Sequence, residues 1–253
     1  LRAAGVEFLS KWLKAGPPSR RPAVAAPDEE LQCTPSGQVS VSLGGETVVT
    51  LNRKLADRIA ARFPFPEGAA AAGRYQESIR ARILELTKAA PIEKEPGIEV
   101  PVRVSGDGSS GTILVVAPTD EVRRRVAGPL ARGGFRVAEI DLRGWGATAP
   151  HMPEKKVGYS WDDFFAYRAL EMGRPLFGQR LRDLLAAAPG VAGGGEWTVL
   201  GMGEGALIAA YAAAIEPRIR RTIAIGGLLS YRSLVDDPHH RHPVSLFLPG
   251  VIS

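Results

Sequence analysis

The sequence predicts an α/β fold: a mainly parallel sheet with helices on both faces, preceded by a small α+β linker region. Three observations predict it. From about residue 98 onward, short apolar runs alternate with longer helical patterns, as βαβ units require. Residues 196–214, EWTVLGMGEGALIAAYAAA, read as a buried strand, a tight glycine turn and an Ala-rich helix. Residues 141–146, DLRGWG, put a glycine-bearing loop directly after another apolar run.

The elements follow in order. Phe8, Leu9, Trp12 and Leu13 share one face of an amphipathic helix, which Gly16, Pro17 and Pro18 stop. The Pro/Ala-rich stretch to Pro27 reads as linker. Two strand-like runs, 38–43 and 47–51, flank Gly44 and Gly45 and predict a hairpin. Leu55, Ile59 and Phe63 are spaced by four and predict a helix; Ile79, Ile83 and Leu86 predict another. Strands are then expected at 98–104, 112–117, 135–142, 196–200 and 222–226. Helices are expected where Val122, Val126 and Leu130 share a face, over 161–188, and over 205–215. The organisation expected from this is residues 1–15 as the last helix of a preceding domain, 16–97 as linker region, and 98–253 as a partial α/β domain.

Composition narrows the function classes. With 45% hydrophobic and 23% charged residues the chain is an ordinary globular one. No apolar run approaches the ~20 residues of a membrane helix, so no membrane partner is expected. The net charge is +5, and the tightest basic run, Arg123 to Arg125, lacks interleaved aromatics. It reads as a solvated surface rather than a nucleic-acid site. The single cysteine, Cys33, excludes an internal disulfide. The first residue is Leu1 rather than Met, inside a helical pattern, and no signal peptide precedes it. A segment of a longer protein is the expectation.

The glycine turn carries the functional question. Gly201-Met202-Gly203-Glu204-Gly205 sits between strand and helix, where α/β-hydrolases place a G-x-S-x-G nucleophile turn. Asp141, Arg143, Gly144 and Gly146 match the D-x-R-G-x-G-x-S loop of the same fold, with Thr148 in the last place. In this loop Arg143 is expected to pair with Asp141 or with backbone carbonyls and hold the loop's shape. The chain from about residue 98 to 253 thus resembles the central part of an α/β-hydrolase. Residues 167–185, 201–219 and 228–237 resemble bacterial acetylxylan esterase-like carbohydrate esterases more closely. Residues 30–52 resemble the join between a first and a second hydrolase domain in some of them.

That resemblance implies a serine that attacks an ester, a histidine that takes its proton and an acid that orients the histidine. Carried over, Gly203 holds the nucleophile's position, Glu204 supplies one oxyanion N–H and Thr119 the region of the other. Asp236 and Asp237 fall in the acid's region, but His239, His240 and His242 come too early for a strand-borne base. A degenerate, non-catalytic module is therefore implied, with the nucleophile in another domain. The resemblance also implies a preceding hydrolase domain of the same chain as partner, a polysaccharide ester as the parent's substrate, and a secreted or periplasmic location.

Three other readings bear on the site. The histidine cluster lies between Pro238 and Pro243 in a loop and reads as polar surface, with no metal expected. Glu204, at a helix N-terminus, is expected to stay ionised in a structural role. Gly201-x-Gly203-x-x-Ala206 formally satisfies a dinucleotide fingerprint, but the strand after it ends in Gly226 and Gly227 instead of an acid. No cofactor is expected in the hydrolase reading; NAD(P) belongs to this alternative.

Overall fold

The computed structural model describes residues 2–14, 24–60, 66–90, 92–151, 159–193 and 195–251. The chain divides into two compact units, Leu1–Thr50 and Leu51–Ser253.

The first unit is helical. It holds α1 (Arg2–Trp12), α2 (Asp28–Leu31) and α3 (Val39–Ser42). Phe8, Leu9 and Trp12 on α1 are exposed. The hairpin expected around Gly44 and Gly45 is not formed. Residues 39–42 are helical, and α4 (Val48–Ala60) begins where the pattern predicts the second strand. Local bonds explain the switch. Thr50 donates its backbone N–H to the Thr47 hydroxyl at 3.2 Å, and Thr47 donates its own to Thr50 Oγ1 at 2.8 Å. A β-branched threonine placed so satisfies the orphan donors of a helix start, which outweighs its strand propensity. Of the trio Leu55, Ile59 and Phe63, the last lies outside the described residues.

The second unit is α/β. Its strands are β1 (Val102–Ser105), β2 (Thr112–Val116), β3 (Arg136–Ile140), β4 (Trp197–Met202) and β5 (Ile219–Ile225). Its helices are α5 (Ala69–Thr87), α6 (Asp120–Arg132), α7 (Trp161–Glu171), α8 (Leu176–Ala192), α9 (Glu204–Ile215) and α10 (Tyr231–Asp236). The five strands run in the order β1-β3-β2-β4-β5. β1 is antiparallel to β3, and every other neighbouring pair is parallel.

Both faces of the sheet centre are covered, which is why β2 reads as an almost unbroken apolar run. On one face Ile113, Val115, Val137 and Leu200 pack with Ala127 and Leu130 of α6. On the other, Leu114, Val116, Ala138, Ile140 and Val199 pack with Phe177, Leu181 and Leu184 of α8 and Ile208 and Ala212 of α9. Ile83 and Ala89 join that second core, so α5, within the stretch that reads as linker, belongs to the α/β unit. Gly178 permits this: a Cβ there would collide with the Thr87 carbonyl at the end of α5. No helix among the described residues is long and apolar enough to cross a membrane.

The strand order changes direction between β2 and β4. After β2 the chain moves to β3 on one side, then returns to build β4 and β5 on the other. In open α/β sheets ligands bind at the carboxyl ends of strands beside such a switch. The glycine turn after β4 stands there, beside the loop after β2 that carries Thr119.

Candidate functional site

The turn is held from two sides. β4 continues to Met202, two residues past the apolar run that marks it in the sequence, and α9 starts at Glu204. Gly203 alone makes the reversal, with φ 58° and ψ −123°, a conformation that a side chain adopts only under strain. Its N–H donates to the Ile225 carbonyl at 2.8 Å, and its carbonyl accepts from the Ala206 N–H at 3.1 Å. A Cβ at Gly201 would collide with the Gly205 carbonyl, and one at Gly205 with the Val116 carbonyl. At Gly203 a Cβ would meet nothing within 4 Å. The site thus has open space above a turn that glycine makes without strain, and no side chain fills it.

Thr119 caps α6: its hydroxyl accepts from the Val122 N–H at 3.4 Å. Asp120 and Glu121 follow in the first turn and complement the helix dipole. Arg123, which reads as solvated in the sequence, is fully buried. It donates to the Ala117 carbonyl at 2.7 Å and pairs with Asp141 Oδ1 at 2.7 Å. Burial of a guanidinium is tolerable here because a buried carboxylate and a backbone carbonyl both receive it.

Asp141 and Arg143 are both in ion pairs, but not with each other. Asp141 is buried and faces Arg123, Arg103 at 3.2 Å, and the Ala147 N–H at 3.0 Å. A Cβ on Gly146 would strike this carboxylate. Arg143 turns the other way, donating to Asp183 Oδ2 at 2.7 Å and Gln179 Oε1 at 2.7 Å, with Glu95 Oε2 at 3.0 Å. The expected Asp141–Arg143 pair is absent because each side chain finds a buried partner on a different helix, α6 and α8. Gly144, at φ 80°, lies against the Arg180 guanidinium.

Glu204 is the charged group of the turn. It does not simply cap α9. Its Oε2 accepts from Ser245 Oγ at 2.6 Å and from Arg180 Nη1 at 3.2 Å. Burial raises its pKa; Arg180 and the Ser245 hydrogen bond oppose the rise, and the charges of Asp162 and Asp163 add to it. Desolvation thus acts on Glu204 against the helix dipole, and the carboxyl is held by Arg180 and Ser245 as well as by its place at the helix start. A folded pKa above the unfolded one makes its contribution to stability full below the unfolded value. That contribution is lost as the pH rises through the folded value.

Arg180 joins the parts. It is buried, its guanidinium 4.5 Å from the Trp145 ring centre. It donates to the Arg143 carbonyl at 3.0 Å and pairs with Asp162. Asp163 caps α7 with Ser160 and accepts the Val244 N–H at 3.1 Å. Arg180, Asp162 and Ser245 have no signal in a local motif. One was available for Arg180: it lies four residues from Leu176 and Leu184, on the face of α8 that these mark as buried, where a charge demands a partner.

The remaining candidates stand apart. Asp236 pairs with Arg232 at 3.0 Å. His239 donates its backbone N–H to Asp237, and the His240 and His242 ring centres are 6.1 Å apart. No group of three or more metal-ligating side chains occurs among the described residues.

No family model and no curated protein matches the sequence. Solved structures similar to it include an N-acyl homoserine lactone degrading enzyme, at 18% identity and TM-score 0.34 over 51% of this chain and 41% of that one. Another is the proline iminopeptidase of Mycobacterium smegmatis, at 17% and 0.33 over 48% and 38%. A third is acetyl xylan esterase 1 from Thermoanaerobacterium sp. JW/SL YS485, at 16% and 0.41 over 70% of each chain. The chain spans about two fifths of the length of the first two. Strand order, turn and helix together make the second unit an α/β domain with an open glycine turn at the carboxyl edge of a mainly parallel sheet.

Proposed function

We propose that residues 98–253 are a degenerate α/β-hydrolase module of a carbohydrate-esterase-like protein, non-catalytic by itself. It would support a hydrolase domain of the same chain that acts on a polysaccharide ester. The observation that carries this reading is the contrast within one turn. Gly201 and Gly205 are required by close backbone approach, whereas Gly203 has room for a side chain and the positive-φ backbone of a nucleophile turn. The turn is kept and its reacting atom is missing. Glu204 does not replace it, since the carboxyl is held by Arg180 and Ser245.

Nothing favours the dinucleotide alternative. The Glu204 carboxyl stands in the first turn of α9, where a pyrophosphate would need positive potential. A fluorophosphonate probe tests the proposal on the 253-residue chain. No label above that of the heat-unfolded chain is expected. Stoichiometric labelling of the unmodified chain would refute a non-catalytic module. Gly203→Ser is expected to add a hydroxyl without a base and to leave 4-nitrophenyl acetate hydrolysis within about twofold of background.

A further inference from the structure

Between the loop after β3 and helices α7 and α8 lies a cavity of about 520 Å³. Small-molecule sites span roughly 300–1,000 Å³. The cavity is lined by residues outside the glycine turn; Arg180, which reaches Glu204, is the link between the two. One wall is aromatic. Trp161 and Phe165 lie four apart on α7, hence on one side of it, with ring centres 6.2 Å and planes 29° apart. Met172 and Leu176 extend this apolar wall.

Three arginines also line the cavity: Arg143, Arg168 and Arg180. Each is already matched by a carboxylate of the chain. Arg143 is held by Asp183 and Glu95, Arg168 by Glu171 at 2.7 Å, and Arg180 by Asp162 and Glu204. Asp162 lines the cavity as well, so an anionic ligand would compete with carboxylates already paired to the arginines, and a cationic ligand would compete with an arginine already paired to Asp162. Stacking surface with its charges internally satisfied selects for a neutral ring.

We propose that this cavity binds an uncharged aromatic group, of phenyl to naphthyl size, packed against Trp161 and Phe165. The proposal is independent of whether Gly203 marks a lost nucleophile, because no residue of the turn contributes to the cavity. The test uses two dyes on the 253-residue chain: neutral N-phenyl-1-naphthylamine and its sulfonated counterpart, 1-anilinonaphthalene-8-sulfonate. The neutral dye is expected to give a saturable fluorescence rise at one site per chain. The sulfonated dye should bind that site about tenfold more weakly or worse, as an anion without a free partner. Phe165→Ala, at a partly exposed position, should weaken the neutral dye about tenfold by removing one stacked ring. Non-saturable binding, equal binding of both dyes, or an unaltered Phe165→Ala variant would each overturn the proposal. A second measurement does not depend on the variant folding. Photolabelling of the unmodified chain with neutral 3-trifluoromethyl-3-phenyldiazirine should concentrate in the peptide spanning residues 159–180. Label confined to apolar side chains elsewhere, such as those exposed on α1, would also overturn it.

Discussion

A Cβ on Gly201 would collide with the Gly205 carbonyl, while one on Gly203 would meet nothing within 4 Å. The three glycines of the turn are therefore not equivalent, although the sequence writes them alike. Gly201→Ala must push β4 away from α9 and should cost at least about 3 kcal/mol, the upper range of overpacking. Gly203→Ala has room and is burdened only by its positive φ, about 1–3 kcal/mol. Urea denaturation midpoints should rank the unmodified chain above Gly203→Ala and Gly203→Ala above Gly201→Ala. The reverse order of the two variants would mean that the turn is sealed at 203. The spacing of the glycines was legible in the sequence; which of them is closed by backbone was not, because the blocking atoms belong to β2 and α9.

At the scale of elements, the carboxylate of Glu95 ties the loop after β3 to α8. Arg174, Arg182 and Arg143 all converge on it. Its pKa is held at about 2, chiefly by the Arg174 hydrogen bond and then by Arg143 and Arg182, against the opposing effect of burial. The folded value lies below the unfolded one, so the stabilisation is present above the unfolded pKa. It is lost as the pH falls through about 2. Glu95→Gln should cost about 1–3 kcal/mol at pH 7, as for a charge-assisted hydrogen bond. The penalty should shrink progressively below pH 4. Thermal melts of both proteins at pH 7 and pH 3 check this; a penalty independent of pH would remove the ion pairs from the account. Helices α6, α8 and α9 were legible from apolar spacing. The expected hairpin gives way to helix because the hydroxyl of Thr47 receives the Thr50 N–H, a local bond that propensity does not count.

For the whole molecule, the sheet is covered unevenly. β5 has one neighbour, β4, among the described residues, and Ile223 and Ile225 are 42% and 45% exposed. They share a face with Leu200 and Met202 by register, but α6, which packs on that face, reaches β1, β2 and β3. A strand with exposed apolar side chains and, among the described residues, an unpaired backbone edge is a template for pairing with other chains. Ile223→Lys with Ile225→Lys should reduce concentration-dependent light scattering while changing stability by about 0.5 kcal/mol or less per site, as for other exposed positions. Unchanged scattering would show that this face of β5 does not drive association.

The sequence by itself determined the α/β class, the order of strands and helices from residue 98 to the strand near residue 222, and the glycine at position 203 of the turn. Each of these is a local property: a run of apolar residues, a period, or one side chain at one place in a turn. The tertiary structure decided which charges belong together. Arg123 reads as surface and is buried against Asp141; Arg143 finds Asp183 rather than Asp141; Glu204 meets Arg180 and Ser245, which lie 24 and 41 positions away. Partners of a buried charge are chosen by what the fold brings within about 3 Å in a medium of low dielectric. That choice leaves no periodic trace in the chain, so the turn could be read from its residues while the network that surrounds it could not.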